Sequence, residues 1–146
     1  MKGKKMTDAE ITKTVFLAAS RETVWRFLTD RDKLAKWFHP ADQDLRDGED
    51  YALLGKTDDG ADMKLCWGTV LQMDRPSKLV CSFTVQPLNG AMTTVTWTLD
   101  EVGDGTRLTL RHTGLADVDA PFGLMMALDA GWDEHFGSLR NSLKPA

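Results

Sequence analysis

The sequence predicts an α+β domain in which a curved antiparallel sheet wraps over one long C-terminal helix. Three observations carry this. Between Tyr51 and Thr113 apolar and polar residues alternate with period two, as in strands with one buried and one wet face. Tight-turn signals separate these stretches, so neighbouring strands run antiparallel. Beyond Pro121 the period changes, and Trp132, Phe136, Leu139 and Leu143 recur at spacings of four, three and four. A sheet with an apolar face must be covered, and this helical stripe is the segment able to cover it.

Taken in order, Ile11 to Ala18 is β-branched and apolar and reads as a first strand. Ser20 stands where an N-cap belongs, with Glu22 at the positive end of the helix dipole. Val24, Phe27 and Leu28 follow at helical spacing, beside Trp25. Asp30 is expected to cap a second short helix through Lys33, Leu34 and Trp37, which Pro40 stops. Leu45 to Glu49 forms a turn into a strand at Tyr51 to Leu54, and Asp58-Asp59-Gly60 forms the next turn.

In Met63 to Met73 the alternation places Met63, Leu65, Trp67, Thr69, Leu71 and Met73 on one face. A turn containing Pro76 follows, then Leu79, Cys81, Phe83 and Val85 share a face. Asn89-Gly90 is a hairpin signal. Thr93, Val95, Trp97 and Leu99 align next, then the turn Gly103-Asp104-Gly105, then Leu108, Leu110 and His112. Pro121 suits the first turn of the last helix. Phe122 to Leu128 is read as a lid over the same sheet. Gly131 and Gly137 each weaken the helix by about 1 kcal/mol against Ala and are expected to mark close packing or a kink. Written out, the expected order is β-α-α-β-β-β-β-β-β-α.

The 146 residues suit a single domain spanning 1–146, with residues 1–10 a solvated N-terminal tail carrying Lys2, Lys4 and Lys5. Hydrophobic residues make up 42% and charged residues 27%, the balance of a globular chain. A net charge of −4 argues against a nucleic-acid partner. The N-terminus lacks an apolar h-region, and no apolar run approaches the roughly 18 residues of a membrane span, so cytoplasm is the expected location. Cys66 and Cys81 are read as inert small hydrophobes and make no disulfide framework. The three histidines show no metal spacing, and there is no P-loop, GxGxxG or GxSxG, so neither metal nor cofactor is expected.

Several segments together resemble the START-like, or SRPBCC, superfamily, and within it the branch of activator of heat-shock-protein-ninety ATPase homologues. They are Trp37 with Pro40, Asp44-Leu45-Arg46-Asp47-Gly48, Gly68 with Val70, Thr94-Val95-Thr96, Gly105-Thr106-Arg107-Leu108-Thr109-Leu110, His112-Thr113-Gly114-Leu115 and Gly131-Trp132. The likeness runs from about Ile11 to Leu143 and implies the helix-grip fold of START domains and the birch-pollen allergen. For function it implies a range, from drug-binding resistance proteins to co-chaperone domains and cyclase-like enzymes, because one fold hosts many sites. The co-chaperone carries a separate N-terminal domain for which this length leaves no room, which ranks that reading second.

The candidate ligand-binding residues are Trp37, Tyr51, Trp67, Phe83, Trp97, His112, Trp132 and Phe136. Such aromatics either pack a core or line a cavity for a flat apolar molecule. Met63, Met73, Met92, Met125 and Met126 would make an adaptable lining. His112 is expected to point inward, either satisfied by a hydrogen bond or anchoring a ligand. In the second case, His112→Ala would lower affinity and spare the fold. His39 is read as a cap or surface residue, and His135 as a neighbour of the cavity. Asp117 and Asp119 are read as loop and capping residues, and Arg46 and Arg107 as surface pairs.

Three functions follow. The first is binding of a small hydrophobic ligand between sheet and helix, without catalysis. The second is a module that modulates a heat-shock chaperone ATPase in the stress response. The third is a cyclase- or hydrolase-like enzyme, for which His112 with Tyr51 is the available acid-base pair. Monomer and homodimer both remain open.

Overall fold

The structure, a computed structural model, describes residues 10–144. Strand β1 (Ile11–Leu17) leads into helices α1 (Arg21–Thr29) and α2 (Arg31–Trp37). Strands β2 (Asp50–Lys56), β3 (Asp62–Asp74), β4 (Lys78–Val85), β5 (Thr93–Val102) and β6 (Gly105–Thr113) follow, then helix α3 (Phe122–Ser142). Five strands follow the helix pair, one fewer than expected, because each alternating stretch makes a single strand. The sheet order is β1-β6-β5-β4-β3-β2, antiparallel throughout, so the first strand closes beside the last. Sheet and long C-terminal helix make the helix-grip α+β fold. Of the expected tail, only Glu10 lies among the described residues, and it pairs with Arg111 at 2.8 Å. No described helix is long and apolar enough to cross a membrane.

Local chemistry explains most element ends. The Ser20 hydroxyl accepts from the Thr23 backbone N–H at 3.2 Å and caps α1. Asp30 stands at the N-cap of α2 but makes no side-chain cap bond. Asp44 takes that role, its carboxylate accepting from the Arg31 N–H at 2.9 Å. Pro121 lies just outside α3, at the N-cap position, and Asp117 and Asp119 do not cap it. The helix is continuous from Phe122, so Phe122 to Leu128 is its opening and not a separate lid. A Cβ at Gly131 or Gly137 would meet nothing within 4 Å, so neither glycine serves close packing. Lys13 on β1 pins the helix to the sheet, its ammonium 2.7 Å from Asp129 and 2.9 Å from Asp133.

Strand β3 departs from the simple alternation. Register shifts fall where Leu53 and Leu54 face Cys66 and Lys64, and where Val70 and Gln72 face Cys81 and Val80. Each leaves one β3 residue, Leu65 and then Leu71, outside the one-to-one pairing. Such a bulge reverses which face the following side chains take. Between the two shifts Cys66, Gly68 and Val70 are buried, while Leu71 is 55% exposed and Trp67 falls on the opposite face from the core. The expected inward face is therefore wrong for Trp67, Thr69 and Leu71. It holds for Leu65, at the first bulge, and for Met73, past the second, which pack against the core.

Gly68 is required by the approach of β4. A Cβ there would lie 2.0 Å from the Ser82 carbonyl oxygen. That oxygen accepts from the Tyr51 hydroxyl at 2.7 Å, while the Thr69 N–H turns to the Ser82 hydroxyl at 2.8 Å. Gly68→Ala must push backbone apart and displace Tyr51, so it is expected to cost about 1–3 kcal/mol. A lowered denaturant midpoint at unchanged slope is the expected reading, and an unchanged midpoint counts against the close approach.

Candidate functional site

Among the described residues, an inner and an outer space lie between the sheet and α3. The inner one measures about 30 Å³ and is enclosed by Trp37, Tyr51, Phe83, Trp97 and Trp132 with aliphatic neighbours. That is room for about one water, not for a ligand. The outer one is a cleft of about 310 Å³. Its walls are Leu65 and Cys66 of β3, Phe83 and Val85 of β4, Phe38 and His39 after α2, and one face of α3. That face, Ala127, Leu128, Gly131, Trp132 and His135, repeats at helical spacing beside the buried stripe.

An aromatic wall separates the two spaces. Phe38, Phe83 and Trp132 border both. Trp132 lies with its ring centroid 5.4 Å from Phe38, 5.8 Å from Phe83 and 5.7 Å from Trp97, the last edge to face. Trp37 is anchored from behind by its indole N–H, which donates to the Phe27 carbonyl at 2.8 Å.

His112 is fully buried and borders neither the inner cavity nor the outer cleft. The Trp132 indole N–H can only donate, and it points at Nδ1 of His112 at 3.2 Å. Nδ1 is therefore bare and Nε2 carries the ring proton. Nε2–H donates to the Thr93 hydroxyl at 2.7 Å, and that hydroxyl donates to the Phe83 carbonyl at 2.6 Å. Both nitrogens are used, which leaves none for a ligand. Burial holds the pKa of His112 down to about 4, so the ring is neutral at neutral pH. His112→Ala is thus a core mutation, contrary to the expectation that it would spare the fold.

The other sequence-predicted residues divide sharply. Trp37, Tyr51, Phe83, Trp97 and Trp132 converge on the inner cavity, and Phe83 and Trp132 also reach the cleft. Phe136 is buried and stacks on Trp97 at 6.0 Å, as core packing. Trp67 is on the far face of the sheet. Tyr51 spends its hydroxyl on Ser82, and burial pushes that hydroxyl further from ionising. It therefore forms no acid-base pair with His112.

Sequence reasoning missed Phe38, His39, Cys66 and Gly131. Phe38 and His39 precede Pro40, which breaks the helical pattern and hid their direction. The α3 positions were readable as a second stripe displaced by one residue from Trp132 and Phe136. His39 is half-buried rather than a surface cap, and its ring meets that of His135 edge to face at 5.1 Å. His135 places Nδ1 3.4 Å from the Trp37 carbonyl. Burial lowers the pKa of both rings, and for His39 the neighbouring His135 adds to it. Burial pushes the Cys66 and Cys81 thiols up to about 12, so neither is a ready nucleophile. Among the described residues no three His, Cys, Asp or Glu side chains converge to hold a metal ion.

Fold and cleft together define a domain of the START-like, or SRPBCC, class. The chain belongs to the Activator of Hsp90 ATPase homolog 1-like protein family, whose model matches residues 18–144. Among solved structures it is similar to CalU16 from Micromonospora echinospora, at 26% identity and a TM-score of 0.73, covering 93% of this chain and 76% of that one. It is similar in fold to DynU16, a protein of the dynemicin biosynthetic locus, at 22% identity and a TM-score of 0.76. That match covers 93% of this chain but only 47% of DynU16. It also shares its fold with MLL2253 from Mesorhizobium loti, at 20% identity and a TM-score of 0.73, covering 90% and 94% of the two chains. A comparison with curated proteins gives no match.

Proposed function

We propose that this domain binds a small apolar molecule in the outer cleft, without catalysing its conversion. The observation that carries the reading is the cleft itself: about 310 Å³, walled by aromatic and aliphatic side chains with two imidazoles on its rim. Ligand sites begin near this size, about 300 Å³, and have this make-up of apolar walls with few polar groups. Membership of the family supports the reading, since such domains typically take hydrophobic ligands. The ligand meets Phe83 and Trp132 of the sequence-predicted set, while Trp37, Tyr51 and Trp97 support the wall from behind. We place this binding in the cytoplasm, which cell fractionation tests.

Gly131 offers a direct test. It lines the cleft, a Cβ there has open space, and glycine inside a helix costs about 1 kcal/mol against a good helix former. Gly131→Leu is expected to raise the melting temperature while filling the cleft. The measurement is native mass spectrometry of both proteins purified gently from the host. A bound small molecule on the wild type that is absent from the more stable variant supports the proposal. An equal bound mass on both sinks it. A clean apo mass on both, with capture of a chaperone in pull-downs, favours the interaction module.

A further inference from the structure

We infer that the ligand of this cleft carries a weakly acidic oxygen, a carboxylic acid or a phenol on a planar apolar body, seated with that oxygen against His39 and His135. The inference rests on the cleft being the binding site and names the class of molecule it takes.

The Trp37 carbonyl sets the tautomer of His135. A carbonyl only accepts, so Nδ1 of His135 bears a proton and Nε2 of the neutral ring is a bare lone pair. Among the described residues that Nε2, and both nitrogens of His39, have no hydrogen-bond partner. Among the described residues no buried side-chain nitrogen or oxygen is left without a partner, so these nitrogens are not sealed in the core but open at the cleft rim. Apart from them, the side chains of the cleft wall are hydrocarbon, aromatic or the Cys66 thiol.

A partly desolvated imidazole with a free lone pair seeks a donor. An acidic O–H satisfies it, either by sharing its proton or by passing it to Nε2 to give an imidazolium and an oxyanion. The second form is a charge-assisted hydrogen bond in an apolar setting. A ligand already ionised in water leaves Nε2 to take its proton from solvent, so binding a carboxylate takes up about one proton. No bond to carbon forms or breaks.

The surroundings fit this traffic. His39 and His135 face each other, and two adjacent imidazoliums repel, so an anion between them relieves what a cation would worsen. Glu134 lies beside His135 on α3 and favours its charged form. Lys36 of α2 lines the groove behind His135, and the Cys66 thiol on β3 stays protonated.

The test uses 2-naphthoate and its uncharged isostere 2-naphthamide, with calorimetry on the full chain at about pH 6 and about pH 8. Naphthoate is expected to bind about tenfold or more tighter than naphthamide at the lower pH, with roughly one proton taken up. Its affinity is expected to fall steeply toward the higher pH while that of naphthamide stays level. His39→Gln with His135→Gln is expected to erase the preference, so that the two probes bind alike and neither responds to pH, and its melting curve checks the fold. Equal affinity for the two probes at both pH values overturns the acid inference and leaves the cleft proposal standing. Naphthoate binding that survives Gly131→Leu, or no binding of either probe to the wild type, overturns both.

Discussion

Between about pH 7 and about pH 4 the domain is expected to lose roughly 3 kcal/mol of stability through His112 alone. In the unfolded chain this histidine titrates near its ordinary value of 6.5, and in the fold near 4, because burial disfavours the charged ring. Within that window the unfolded state binds more protons, so stability rises with pH. The contribution is complete above about 6.5 and is lost as pH falls toward about 4. Protonation would also put a hydrogen on Nδ1, directly facing the Trp132 N–H. His39 and His135, also lowered, act in the same direction. Denaturant midpoints of the wild type and His112→Gln across this range give the answer. The variant starts less stable, and the gap is expected to narrow as pH falls. Parallel curves would show that His112 does not titrate between folded and unfolded states as its burial requires.

Trp132→Ala is expected to cost about 3–5 kcal/mol, a large part of the stability of a domain this size. Three losses add up. The buried ring leaves a hole where it now meets Phe38, Phe83 and Trp97. The Nδ1 atom of His112 loses its donor and stands buried and unpaired. The wall between inner cavity and cleft opens, so water can enter what was core. Trp132→Phe keeps one aromatic ring in place and removes the N–H together with the rest of the indole, so it is expected to cost less, about 1–3 kcal/mol. Unfolding curves of both variants separate the contributions. A cost for Trp132→Ala below that for Trp132→Phe would contradict the proposed wall.

Much of this architecture was legible from the residues alone. Period-two alternation located the strands because successive side chains of a regular strand point alternately to core and to water. The stripe Trp132, Phe136, Leu139, Leu143 identified the covering helix for the corresponding reason at period 3.6. Ser20, Asn89-Gly90 and Gly103 marked helix and turn boundaries through hydrogen-bonding and φ requirements that act over a few residues. The family motifs pointed to the same fold, and the family match agrees.

The site was less legible, and the reasons are physical. Bulges in β3 depend on how neighbouring strands pair, so the reversal that sends Trp67 outward could not be read from β3 itself. His112 was rightly placed inward. That its two nitrogens are spent on Trp132 and Thr93 depends on residues 20 and 19 positions away. The cleft requires Phe38 and His39 to meet His135, nearly a hundred residues apart in sequence. Local sequence determined the elements, their order and the inward faces of most strands, because those follow from burial and short-range backbone preference. Only the tertiary structure decided which aromatics fill space, which wall it off, and which two histidines meet at its rim, because those depend on contacts between distant segments.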